Sequence, residues 1–382
     1  MDYRGGVGTP GTQSRRMVVV REGYRVHIPD GYLGPQTYVP AYVVMAGFWA
    51  SAIAKLKKTL RNRQVPMLAL SAAFTFLIMM FNVPIPGGTT GHAVGGVLVA
   101  VLLGPWAAMV AVSLALILQA LLFGDGGITA LGANCLNMAV IMPFTGWGVY
   151  RLISGKAPAS SRLHAIAGAA GGYVGLNAAA LSAAVMFGIQ PLLAHDAAGH
   201  ALYSPFGLKV AIPAMAVEHL LVFGVVEGLV TGLVIAYFQR TSPELIPTRE
   251  RTSTDAGVPL ERRLIRALTV LAILTPLGLY LPARFGSGSA WGEWSAQQIG
   301  KMAGYVPSGL AGAEGRWHSV LPDYALPGQK SAPLLALSLS YIVSAFVGIG
   351  LLWLLSAVAG KLMRGKERDG CDTGVAGASG RR

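Results

Sequence analysis

The sequence predicts an all-α integral membrane protein: a polytopic bundle of about seven spans, followed by a two-span C-terminal unit with a large outward loop. Three observations carry this. The 382 residues are 53% hydrophobic and only 12% charged, where a soluble chain carries about 25% charged residues. The mean hydropathy of +0.54 is too high for one soluble core. Lys and Arg gather in short clusters between alternate apolar runs, as expected for cytoplasmic loops. The 50 glycines suit helices that pack closely in lipid.

Nine apolar segments are read, at 38–55, 66–83, 92–103, 106–123, 130–150, 163–188, 209–238, 264–282 and 333–360. A spanning helix needs about 20 apolar residues. The third segment is too short to span alone. It ends at Gly104-Pro105-Trp106, which marks a half-helix or one arm of a tightly turned pair. Basic clusters follow the first, fifth, seventh and ninth segments: Lys55, Lys57, Lys58, Arg61 and Arg63; Arg151, Lys156 and Arg162; Arg240 through Arg266; and Lys361 through Arg368. These loops alternate, so charge bias and span parity put them all on the cytoplasmic side, with the C-terminus. The loops 84–91, 124–129 and 189–207 hold no Lys or Arg and are expected outside, with the segment around His27 and the long loop 283–332.

Composition breaks in the polar stretch between Arg240 and Arg263. The expected organisation is an extension over 1–25, a membrane domain over 26–240, a cytoplasmic linker over 241–263, a two-span companion over 264–365 and a disordered tail over 366–382. The net charge of +13 is accounted for by the cytoplasmic loops, so no nucleic-acid partner is expected; the lipid bilayer is. Cys135 and Cys371 form no CxxC pair, which leaves no thiolate metal site or disulfide framework.

Two of the 7 histidines stand out by their neighbours. His27 lies in Val26-His27-Ile28-Pro29-Asp30-Gly31, and His92 ends Pro84-Ile85-Pro86-Gly87-Gly88-Thr89-Thr90-Gly91-His92. Both fall at the outward ends of spans. Imidazole is the commonest nitrogen ligand of late first-row metals, and the glycine-rich loop can hold a ring rigidly inside the bundle mouth. Two histidines alone do not define a metal site.

The segments HIPDGYL, PIPGGTTGHAVGG and GDGGITALGANCLNMA, in that order, resemble the nickel/cobalt substrate-binding membrane subunit of energy-coupling factor transporters. The resemblance covers about 26–240. Residues 262–365, with Ala290-Trp291-Gly292-Glu293-Trp294 and Gly304-Tyr305-Val306-Pro307, resemble the small two-span companion subunit of nickel systems, fused to the first. The resemblance implies the bundle type of that family and a metal bound by the start of the mature chain. Carried over, the ligands are the Val26 nitrogen, the His27 nitrogen and imidazole, and the His92 imidazole. Four nitrogens in a plane suit Ni(II), with Co(II) as the alternative substrate. The ligands must lose protons, so binding is expected to weaken as pH falls. No organic cofactor is implied.

In the full sequence 25 residues precede Val26, and Val26 then offers an amide in place of an amine. Initiation at Val26 through a GUG codon would give Met-His-Ile-Pro-Asp-Gly, matching the family. Cleavage after Arg25 is a second route. Residues 1–25 lack the apolar core of a secretory signal.

Other polar residues sit near the outward ends of the spans. Asn134, Asp125, Gln119 and Asp30 are candidates to support the site; Gln119 and Asn137 also read as helix–helix contacts, and Asp30 as a turn residue. Glu218 and His219 are either a second metal stop or an internal pair, and Glu227 is structural or a coupling contact. Trp291, Trp294 and Tyr305 either anchor the companion loop in the interface or lean it over the site. The small residues of 168–172 and 178–180 pack against a coupling protein or within the bundle.

No GxxxxGK[ST] loop or nucleophile–base arrangement occurs. The resemblance therefore implies a non-enzymatic transport subunit in a prokaryotic cell membrane, working with a transmembrane coupling protein and two cytoplasmic ATPases. A self-contained cation transporter would need an inverted repeat and paired carboxylates, and a membrane peptidase would need a second His beside Glu218-His219.

Overall fold

The computed structural model describes residues 27–59, 65–86, 88–247, 258–329 and 332–363. The extension over 1–25, Val26 and the tail over 366–382 lie outside the described residues.

The architecture is all-α apart from one short hairpin. Six helices among the described residues are long and apolar enough to cross a membrane: Pro35–Lys58, Pro105–Phe123, Leu163–Leu193, Leu208–Thr241, Glu261–Phe285 and Leu334–Lys361. The chain is a multi-pass membrane protein. A further continuous helical run over 131–154 and the shorter helix Val65–Met79 complete the bundle. The outer surface matches a lipid solvent. On Leu208–Thr241, the exposed Val217, Leu221, Val225, Leu229 and Leu233 recur every four residues and form one apolar stripe. Such a stripe in water would drive aggregation.

The third apolar segment resolves into the tightly turned pair. Gly96–Leu103 is an eight-residue helix, buried from Gly96 to Leu102. Gly104 then reverses the chain at φ 86, and Pro105 starts the next helix at its first turn. His92 precedes this helix instead of lying on it. Ahead of it, Val83–Pro84 pairs antiparallel with Thr90–Gly91, matching Val83 to Gly91 and Pro84 to Thr90.

Small residues bring the helices of the bundle together. A Cβ on Gly171 would lie 2.6 Å from the Gly146 carbonyl, and one on Gly228 would lie 2.8 Å from that of Ala169. The small residues around 168–172 are thus used within the bundle, the second of the two readings open to them.

The C-terminal unit leans on the bundle. Its last helix packs on Val65–Met79, where a Cβ on Gly348 would meet the Phe76 ring at 2.3 Å. The first helix of this unit starts at Val258, inside the stretch expected to be linker, and breaks between Leu274 and Leu277. The loop between the two spans folds over one end of the bundle. Gly288 donates to the Gly88 carbonyl at 2.8 Å, Leu321 to Leu122 at 2.9 Å and Leu310 to Leu202 at 3.1 Å. Trp291 and Trp294 stack edge-on against each other, and Phe206 and Phe187 pack on them. Tyr305 stacks on His200 and accepts from the Ala201 amide. These aromatics bind the loop to the bundle, which favours the leaning arrangement over an interfacial belt.

Candidate metal centre

His27 and His92 meet at the end of the bundle covered by this loop. Their ring centroids are 5.1 Å apart, inclined at 69°. Both are buried, at 3% and 6% exposure.

His27 is placed by the segment after it. The Asn134 amide grips Ile28 at both backbone groups: Oδ1 accepts from the Ile28 amide and Nδ2 donates to its carbonyl, each at 3.1 Å. That carbonyl also accepts from the Gly127 amide at 2.9 Å. Gly126, at φ 94, leaves only 3.0 Å between a built Cβ and His27 Cβ. A larger residue there would displace the histidine.

Asp30 does not reach an imidazole. Its carboxylate accepts from the Ile128 and Thr129 amides and from the Thr129 hydroxyl. It ties the His27 segment to the start of the helix at Leu131, so Asp30 serves as the turn residue and supports the site through backbone alone. The carboxylate that faces His27 is Asp125, with Oδ1 3.1 Å from Nδ1. This is an ion-pair approach, not an aligned hydrogen bond.

His92 is fixed from the other side. Its Nδ1 lies 3.0 Å from the Ala93 carbonyl. A carbonyl only accepts, so Nδ1 carries the proton and Nε2 keeps its lone pair. The Nε2 atoms of both histidines are buried with no hydrogen-bond partner among the described residues. Buried polar nitrogens are normally paired, and orphans of this kind mark a site built for something else.

Glu227 secures the chain after His92. Its Oε2 accepts from the Val94 amide at 2.8 Å and the Gly95 amide at 3.0 Å, and the residue is wholly buried. Glu227 is an anchor for the His92 loop, which supports the structural reading of it over the coupling one.

A cavity of about 90 Å³ opens beside the two rings. Asn137, Glu218, His219, Trp291 and Glu293 also line it. Glu218 and His219 form a pair at 3.5 Å, and His219 Nδ1 bonds the Met215 carbonyl at 2.8 Å. Among the described residues no group of three or more His, Cys, Asp or Glu side chains converges as a metal cage.

Gln119 does not join helix to helix within the bundle. Its Nε2 donates to the Tyr324 hydroxyl at 2.9 Å, and that hydroxyl donates to Asp125 Oδ2 at 2.7 Å. Burial, then the Asp125 charge, raise the Tyr324 pKa well above its ordinary value, so the phenol stays a donor. Tyr324, Trp291 and Glu293 come from the C-terminal unit. Sequence reading missed Tyr324 because its partners lie about 200 positions away, and no local pattern reports such a contact.

The cobalt uptake substrate-specific transmembrane region matches residues 27–245, and the PDGLE domain matches residues 262–365. The "Fused nickel transport protein NikMN" of Rhodobacter capsulatus is 46% identical over 342 residues, covering 86% of this chain and 95% of its own. The "Probable fused nickel transport protein LarMN" of Lactiplantibacillus plantarum is 44% identical over 341 residues, covering 86% and 96%. A crystal structure of a truncated transition metal transporter superposes with a TM-score of 0.53 at 53% identity, covering 56% of this chain and 99% of that one.

Proposed function

The chain belongs to the family of cobalt uptake substrate-specific transmembrane proteins, here joined to a PDGLE unit, and on that premise we propose that it binds Ni(II) for an ATP-driven energy-coupling factor importer. One observation carries this reading. Two buried imidazoles converge at 5.1 Å beside a carboxylate, with ring nitrogens left without hydrogen bonds among the described residues. The fused relatives named above are both called nickel transport proteins, which favours Ni(II) over Co(II).

Side chains alone do not complete the site. Backbone nitrogens of the first residues supply the rest in this proposal. The ligands are the Val26 amine, the His27 amide and imidazole, and His92 Nε2. A five-membered ring closes between amine and amide. A six-membered ring closes between that amide and His27 Nδ1; Nε2 is too far round the ring. Asp125 faces that same Nδ1, so the ion enters between ring and carboxylate. The deprotonated amide cancels one positive charge of the ion and Asp125 the other, which a buried site requires. Four nitrogens in a plane suit Ni(II). The arrangement needs a free amine at Val26 and therefore a functional chain that starts there.

In this proposal the metal end faces outward and Ni(II) enters the cell. The sequence has no phosphate-binding GxxxxGK[ST] loop, so hydrolysis falls to two cytoplasmic ATPases acting through a transmembrane coupling protein.

The test is calorimetric titration of the purified full protein with Ni(II), with Co(II) as competitor, and mass analysis of the native N-terminus. His27→Ala and His92→Ala are each expected to weaken Ni(II) at least a hundredfold. Binding that survives both substitutions, or full uptake by a chain whose N-terminus precedes Val26, would sink the proposal.

A further inference from the structure

One side chain of the companion unit, that of Tyr324, bonds the carboxylate that faces His27. We propose that Tyr324 is a positioning residue for the ion: its phenol holds the Asp125 carboxylate against His27, and so makes the site depend on the C-terminal unit. This rests on the reading of His27 and His92 as ligands.

The chain of contacts runs one way. Gln119 Nε2 can only donate, so it directs a proton at the Tyr324 oxygen. The phenol hydrogen is thereby turned to Asp125 Oδ2 at 2.7 Å. The other carboxylate oxygen, Oδ1, is left facing His27 Nδ1 at 3.1 Å. Turning the carboxylate away from the ring would cost that bond.

Tyr324 is itself firmly held. It is 2% exposed and stacks on Phe123 at 4.6 Å and 24°. Its carbonyl accepts from the Ser344 hydroxyl at 2.8 Å, a group on the last span. The preceding turn is pinned by the bond from Leu321 to Leu122. Asp323 and Tyr324 have φ values of 57° and 59°, the two positive values found at non-glycine residues among those described. Such backbone is costly and persists only where its surroundings over-determine it. Here the over-determined atom is a hydroxyl aimed at the metal centre.

A buried divalent ion needs its counter-charge at a fixed distance. Asp125 belongs to the first unit, but the group that fixes it belongs to the second. A tyrosine that only fills space would need its ring and not its oxygen.

The test uses the full chain in nanodiscs, with Tyr324→Phe, Tyr341→Phe and Asp125→Asn. Tyr341 packs beside Tyr324 at 5.2 Å and serves as the control ring. Tyr324→Phe is expected to weaken Ni(II) by about ten- to a hundredfold, the usual cost of losing an outer partner of a metal site, and Tyr341→Phe to leave it unchanged. In the Asp125→Asn background, Tyr324→Phe should cost nothing further. In metal-free protein labelled with ¹⁵N-histidine, Tyr324→Phe should shift the His27 ring signals and Tyr341→Phe should not. Unchanged or tighter Ni(II) binding in Tyr324→Phe, an equal loss in the Asp125→Asn background, or unmoved His27 signals each overturn the proposal. If the wild type binds no Ni(II) through His27 and His92, the functional reading falls, and the metal-free His27 signals alone decide the relay.

Discussion

At the scale of single residues, the site is set more by grips on backbone than by side-chain contacts with the histidines. Asn134 is the clearest case, because one amide satisfies both the N–H and the carbonyl of Ile28. Removing it leaves the buried Ile28 amide to find a new partner, at about 1–3 kcal/mol if it finds none, while the carbonyl keeps the Gly127 amide. Asn134→Ala should weaken Ni(II) about tenfold or more by calorimetry, with the fold kept by circular dichroism. Asn134→Asp keeps the acceptor, loses the donor, and should fall between. An Asn134→Ala protein with wild-type affinity would show that His27 is held by other means. Asn134 stood out in its motif as a candidate to support the site, and it grips the residue after His27. The division of labour between Asp30 and Asp125 was not legible. Asp30 lies three residues from His27, yet its carboxylate binds amides of 128 and 129, while Asp125 reaches the ring from 98 positions away. Nearness in sequence is a poor guide where a turn can point a carboxylate at its own backbone needs.

At the scale of elements, two π turns line the cavity and a third stands behind Tyr324 and Asp125. They cover Gln119–Phe123, Leu136–Ile141 and His219–Phe223. Each brings a side chain to the site: Gln119 to Tyr324, and Asn137 and His219 to the cavity wall. A π turn inserts one residue into a helix and re-aims the side chains beyond it, and such bulges gather at functional sites. None was legible in the sequence, since a π turn uses the same apolar residues as the α-helix around it. Four residues beyond the last turn, Glu227 holds the Val94 and Gly95 amides ahead of the helix Gly96–Leu103. The short helix has Gly95 before it and no side-chain cap of its own, so a carboxylate from another helix takes that role. Glu227→Ala should lower the melting temperature in detergent by several degrees and weaken Ni(II) at least tenfold, because the His92 loop loses its anchor. Glu227→Gln still offers an acceptor and should retain most of both. If Glu227 instead contacted a partner subunit, Glu227→Ala would bind Ni(II) normally when purified alone and fail only in transport.

At the scale of the whole molecule, the spans were legible and the seat of the companion loop was not. Apolar run length and the spacing of basic clusters require only local composition, so the nine segments of the sequence return as helices, the third as a half-length one. The loop bonds Gly88, Leu122 and Leu202 through backbone groups, which no side-chain pattern encodes. What the helices do establish is polarity. Successive spans put Lys55, Lys57, Lys58, Arg151, Lys156, Arg162, Arg240, Arg262 and Arg263 at one end. The hairpin, the Asp196–His200 turn and the companion loop occupy the other, with His27 and His92. Translocation resists Lys and Arg, so the basic end should be cytoplasmic and the metal end outside. Exposed Ala198 and Lys156 mark the two ends. Cys371 is replaced by serine to remove background, and Cys135 is buried. In intact cells, a membrane-impermeant maleimide should label Ala198→Cys at once and Lys156→Cys only after the membrane is opened. The opposite pattern would turn the metal centre towards the cytoplasm, and a protein so placed would collect Ni(II) for release from the cell instead of for uptake.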